Sequence, residues 1–171
     1  MRFGDFLRAT VLLSAGAATL LAALTVIGVS QDFDRTLAIV SAAWWVGAVL
    51  LGAWLGRRAE TSPPIAGLLA GARSQTSLPE LRPWLTIVNR LWPLLLYTVV
   101  AAGVGILQPR VAAIAAGGAI IWALAWRRQE SAVAAIELRD GVRFYVDKTS
   151  PLQPIRLVRT PGFGGAFLRQ G

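Results

Sequence analysis

Residues 9–29, 36–56, 91–107 and 111–126 are four apolar runs without a single charged side chain. Runs of this kind leave few folds open. The first two are 21 residues each, and a helix rising 1.5 Å per residue needs roughly 20 to cross a hydrocarbon core of about 30 Å. The last two have 17 and 16 residues, which suffices where the bilayer thins or the flanking side chains snorkel. The third run can begin as early as Trp84, and the spacing places the span at about 87–107. Two of the links are short, "SQDFDR" at 30–35 and "QPR" at 108–110. Links of that length force antiparallel helix hairpins. The expected fold class is therefore an all-α membrane protein of four transmembrane helices in two hairpins, with a small cytoplasmic C-terminal extension.

Composition agrees. The 171 residues are 55% hydrophobic and 15% charged, with mean hydropathy +0.57, whereas globular chains carry about 25% charged residues. "GVS" before Gln31 resembles a signal-peptide cleavage site, but the first run exceeds the 7–15 residues of a signal-peptide core. It is expected to be a retained helix.

The basic residues set an orientation. Arg2 and Arg8 precede the first run, Arg57, Arg58, Arg73 and Arg82 lie between the second and third, and Arg127 and Arg128 follow the fourth. Only Arg35 and Arg110 stand on the opposite side, beside Asp32 and Asp34. The positive-inside rule then puts both termini in the cytoplasm of a multi-pass cell (inner) membrane protein. "AWLGRRAE" at 53–60 and "LAWRRQE" at 124–130 share a Trp followed by Arg-Arg-x-Glu. Both fall where a helix would meet the cytoplasmic headgroups. Trp54 and Trp126 are read as interface anchors, and Arg57, Arg58, Arg127 and Arg128 as contacts to anionic lipid. The net charge of +8 is assigned to that surface and not to nucleic acid, because most of the arginines flank apolar runs.

"VNRLWPLLLY" admits two readings. With the third span starting near Leu91, Arg90 is one more interfacial arginine. With an earlier start it lies within the apolar zone, where Arg90 and Asn89 become candidates to bind an anionic headgroup or a partner carboxylate. Pro93 lacks an N–H and so releases the Asn89 carbonyl from the helix ladder, which favours a kink.

Membrane helices associate through small residues that let backbones approach. Ser41, Trp45, Ala48, Gly52 and Gly56 share one face of the second span. Gly105 and Gly117 mark comparable faces of the third and fourth. Ala48, Gly52, Gly56, Gly105 and Gly117 are the candidate packing positions, either within one bundle or between copies. Trp45 on that face fills space and needs an acceptor for its N–H when buried, and a lipid or cofactor contact is the alternative. No resident cofactor is expected.

The organisation read from the chain is a transmembrane domain over 1–126 and a cytoplasmic tail over 127–171. The connecting loop 57–83 carries a surface helix at about 64–73, opened by Ser62-Pro63-Pro64, and a capping box at Ser77–Glu80. The tail is expected to extend the last span as a helix over 127–140, stopped by Gly141. "VRFYV" and "IRLVR" follow, with strands at about 142–147 and 155–159 forming an antiparallel pair. Phe163 and Phe167 are possible terminal anchors.

The chain has no His and no Cys, and Met1 is its one methionine, which removes imidazole bases, thiolate nucleophiles and the usual zinc ligands. All nine carboxylates lie outside the four apolar runs. An enzyme is not expected. The function expected is a non-catalytic membrane subunit, scaffold or assembly factor that binds a protein partner through its tail and helix faces. The alternative is a small homo-oligomeric channel or carrier without proton coupling, since coupling wants an embedded acid or His.

Overall fold

The computed structural model describes residues 1–32, 34–57, 61–74, 83–147 and 155–161. Its elements run in the order α1 (Phe3–Asp32), α2 (Arg35–Leu55), α3 (Pro63–Ala70), β1 (Arg73–Ser74), α4 (Pro83–Leu107), α5 (Pro109–Trp126), α6 (Gln129–Asp140), β2 (Val142–Val146) and β3 (Leu157–Pro161). Among the described residues four helical segments are long and apolar enough to cross a membrane. They hold the four apolar runs of the sequence. The helices outrun those runs at several ends: α1 begins at Phe3, six residues before the apolar run, and α4 begins at Pro83 and continues through Pro93.

The chain divides into two compact units that do not follow chain order. One holds Met1–Arg8, Ala59–Arg90 and Arg128–Gly171, and the other holds Ala9–Arg58 and Leu91–Arg127.

The first unit carries a three-stranded sheet in the order β1-β3-β2. β2 and β3 are antiparallel, pairing Val142 with Pro161 through Val146 with Leu157, and β1 runs parallel to β3. The expected strands are thus present, two residues later for the second. β1 has no alternating pattern to announce it, because two residues cannot show a period. The N-terminus joins the same sheet. Arg2 bridges Tyr145, and the Val146 N–H donates to the Met1 carbonyl at 3.0 Å. The unit buries large side chains: Phe3, Leu7, Ile65, Val133 and Val158 are all at most 2% exposed. Phe3 and Phe6 stack, with ring centroids 6.4 Å apart. α6 ends on Gly141 at φ 61°, a left-handed conformation that a Cβ disfavours. The Glu137 carboxylate then accepts the Phe144 N–H at 2.9 Å, tying β2 to the helix before it.

The fourth span does not continue as one unbroken helix. Arg127 and Arg128 form a turn between α5 and α6. At φ −101°, ψ −4° Arg128 leaves the regular helix ladder, and its carbonyl starts the next helix by accepting Ala132 N–H at 3.1 Å.

In the second unit α2 packs most extensively on α5, and the two run parallel. Asp34 meets Arg110 at one end, and Gly52 and Gly56 meet Leu124 at the other. The N-terminal ends of α2 and α5 come together, and Pro109 packs against Gly28 of α1. The interior is made of small residues. Ala112, Ala115 and Ala116 of α5 pack with Leu21 of α1 and Ala101 of α4, and Ala17 and Ala18 of α1 pack with Ala119.

Candidate functional site

The polar chemistry of the second unit gathers around one turn of α5. Three consecutive carbonyls, those of Ala113, Ile114 and Ala115, each accept a side-chain donor. Trp45 Nε1–H reaches Ala113 at 3.0 Å, Trp44 Nε1–H reaches Ile114 at 3.2 Å, and the Tyr97 hydroxyl reaches Ala115 at 3.0 Å. Helix carbonyls keep a second lone pair for such bonds. Access requires small residues one turn on. The Trp44 indole lies where a Cβ on Gly117 would stand, and the Tyr97 oxygen lies 3.1 Å from a Cβ built on Gly118. Trp45 therefore has its N–H acceptor inside the chain.

Further along the same pair of helices, a Cβ on Gly52 would fall 2.8 Å from the Leu124 Cβ and 3.1 Å from the Ile121 Cα. Gly56 abuts the Leu124 carbonyl, and Ala48 is fully buried. Gly105 faces Ala112 across the α4–α5 bend, with 2.7 Å between its would-be Cβ and that of Ala112. These positions lie against neighbouring helices of the same chain.

At the end where the α2 and α5 N-termini meet, a cleft of about 690 Å³ is lined by Asp34, Leu37, Val40, Ser41, Trp44, Arg110 and Ile114, among others. Asp34 caps α2, its Oδ1 accepting the Leu37 N–H at 2.9 Å. Its Oδ2 stands 3.7 Å from Arg110 Nη2. Ser41 is buried on this cleft, and its hydroxyl has no hydrogen-bond partner among the described residues. Ser14, Thr25 and Thr98 behave differently, each donating to the carbonyl four residues earlier. The sequence gives Asp34, Ser41 and Arg110 no common signal, because seventy residues separate the two ends of the cleft and only the packing of α2 on α5 joins them.

The other arginines and Asn89 are dispersed. Asn89 is exposed on α4. Arg90 is half-buried, two turns into α4, at the boundary of the first unit, and the Asp147 carboxylate is its opposing charge within that unit. Arg57, Arg127 and Arg128 are exposed, and Arg58 lies outside the described residues. The capping box at 77–80 and the phenylalanines at 163 and 167 also lie outside them. Trp122 and Trp126 stack at 5.7 Å near the end of α5. In the first unit, Gln129 is buried and its Oε1 accepts the Ser62 N–H at 3.1 Å, fixing the entry to α3. Burial holds the Met1 amine below its ordinary value, with Asp5 opposing.

Among the described residues no cluster of three acid, His or Cys side chains could hold a metal. Comparison with protein families, curated proteins and solved structures finds no match for this chain.

Proposed function

We propose that this chain is a multi-pass membrane protein that acts as a non-catalytic subunit, scaffold or assembly factor, with both termini in the cytoplasm of a cell (inner) membrane. The second unit is the part in the bilayer, and the first unit, built from the N-terminus, the 59–90 segment and the C-terminal region, is the part that meets a protein partner. Arg57, Arg58, Arg127 and Arg128 contact anionic headgroups at the cytoplasmic face.

The observation that carries this reading is the set of side-chain donors in the second unit that bind its own helices. Trp44, Trp45 and Tyr97 are bound to its own backbone, as are the hydroxyls of Ser14, Thr25 and Thr98. A bundle held in this way suits a static support, whereas a carrier must exchange its internal contacts during transport. The first unit supports the partner role because its sheet and buried side chains give a second shaped body, not an unstructured extension.

Purification in native lipid, followed by identification of co-purifying proteins, tests the function. A stoichiometric protein partner is expected, retained at high salt. A lone homo-oligomer that conducts ions or solutes in liposomes would replace the scaffold with the channel. Orientation is tested by a reporter active only outside the cytoplasm. Fusion at Gly171 should be silent, insertion at the bend at 33–34 should be active, and the reverse pattern would invert the topology.

A further inference from the structure

The cleft between α2 and α5 has the anatomy of an amphiphile site. At its mouth stand one carboxylate and one guanidinium, Asp34 and Arg110, so the charges there balance. At 3.7 Å their separation is too long for a hydrogen bond, which leaves both with bonding capacity. The Arg110 side chain is 73% exposed and that of Asp34 32% exposed, so a ligand can reach either. The rest of the wall is apolar: Val40, Trp44 and Ile114 are exposed along it. Ser41 sits seven residues beyond Asp34, about 10 Å along the helix, with its hydroxyl lacking an acceptor. A buried hydroxyl left in that state is costly, by about 1–3 kcal/mol.

We propose that this cleft holds one phospholipid with a phosphoethanolamine headgroup, its phosphate on Arg110, its ammonium on Asp34, and an acyl chain along Val40, Trp44 and Ile114. The inference rests on the membrane reading above. The headgroup follows from the charges. Asp34 repels the net negative headgroup of a phosphatidylglycerol and the extra carboxylate of a phosphatidylserine. Its Oδ2 favours a primary ammonium, which donates hydrogen bonds, over the quaternary ammonium of phosphatidylcholine, which has none. Oδ1 is already held by the Leu37 N–H, so the carboxylate is fixed in place before the lipid arrives. Arg suits the phosphate because its planar fork binds two oxygens at once.

The test is native mass spectrometry of the full chain released from nanodiscs of equal parts phosphatidylethanolamine, phosphatidylglycerol and phosphatidylcholine. One phosphatidylethanolamine should be retained in preference to the other two. Arg110→Gln should weaken that retention about tenfold, as expected for the loss of a charge-assisted contact. Asp34→Asn is the second variant. Asn also caps helices well, so the fold is kept while the charge is removed, and the selectivity should turn toward phosphatidylglycerol. Equal retention of the three lipids, or an unchanged preference in Asp34→Asn, overturns the proposal. Alkaline extraction of native membranes separates the two levels of the argument. A chain that stays in the pellet without lipid selectivity sinks the headgroup site alone, and a chain that washes off sinks the membrane reading with it.

Discussion

The two units are built inside out relative to each other. The first buries Phe3, Leu7, Ile65 and Val133 and leaves Arg139, Arg143 and Arg159 exposed. The second buries Ala48, Ala112, Ala116 and Gly117 and exposes Leu12, Leu50, Val99 and Ile106. Water drives the first arrangement, since large apolar side chains leave it at roughly 25 cal/mol per Å². In the proposed membrane setting, hydrocarbon around the second would remove that drive between helices. Cohesion must then come from close backbone approach and from hydrogen bonds that lipid cannot offer. The small residues at 48, 52, 56 and 117 and the bonds from the α2 indoles to α5 carbonyls are those two devices. One chain thus uses bulk to hold its first unit and small residues to hold much of its second.

The comparison is most sharply broken by Phe3→Ala. Truncating a buried Phe should cost about 3–5 kcal/mol, and the loss should fall on the first unit. Amides of β2 and β3 should exchange much faster, while those of α2 and α5 keep their protection. Faster exchange in α5 as well would mean that the units do not unfold separately.

Gly52→Leu is the counterpart in the second unit. The added side chain meets Leu124 and the Ile121 backbone, and overpacking of this kind costs about 1–3 kcal/mol. Leu51→Ala, on an exposed position one residue away, should change thermal stability in detergent little. Equal stability of the two variants would remove close approach as the source of cohesion.

Trp45→Phe separates the ring from its N–H. Losing the bond to the Ala113 carbonyl should cost about 1 kcal/mol, since that carbonyl keeps its helix partner. No loss at all would reduce Trp45 to a space filler.

The smallest effect expected is of pH on the first unit. The Arg139 guanidinium, hydrogen-bonded at 2.8 Å, holds the Asp140 carboxyl below the ordinary value of 3.8. Whatever stability the pair adds is present above that ordinary value and is lost as pH falls through the lowered one. Both groups are solvent-exposed and adjacent in sequence, so much the same pair can form in the unfolded chain. The Asp140 carboxyl should therefore titrate below 3.8 by NMR, while the melting temperature shows no transition attributable to it.

The apolar helices were readable because run length against bilayer thickness needs no tertiary knowledge. β2 and β3 were readable because "VRFYV" alternates and Gly141 punctuates it. The contribution of the N-terminus was not read, although Phe3, Phe6 and Leu7 recur at the i, i+3, i+4 spacing of a buried helix face. The acceptors of Trp44, Trp45 and Tyr97 had no sequence signal, since backbone carbonyls are the same at every position. The adjacent glycines at 117 and 118 were the only trace, and they read equally well as ordinary helix packing. Asp34 and Arg110 had no shared sequence signal either, because they lie in two different short links and only the packing of α2 on α5 brings them together.

The indole bonds from α2 to α5 also bear on how the chain is made. Trp44 and Trp45 precede their acceptors by 70 and 68 positions. At 5–20 residues per second, a ribosome needs about 3–14 s to produce that length. During that interval α1 and α2 are complete while both indole N–H groups lack their final partners. The second unit therefore closes only when its last helix is delivered. Until then the half-made chain carries Gly52 and Gly56 without Leu124 beside them, and two indole N–H groups without their final acceptors.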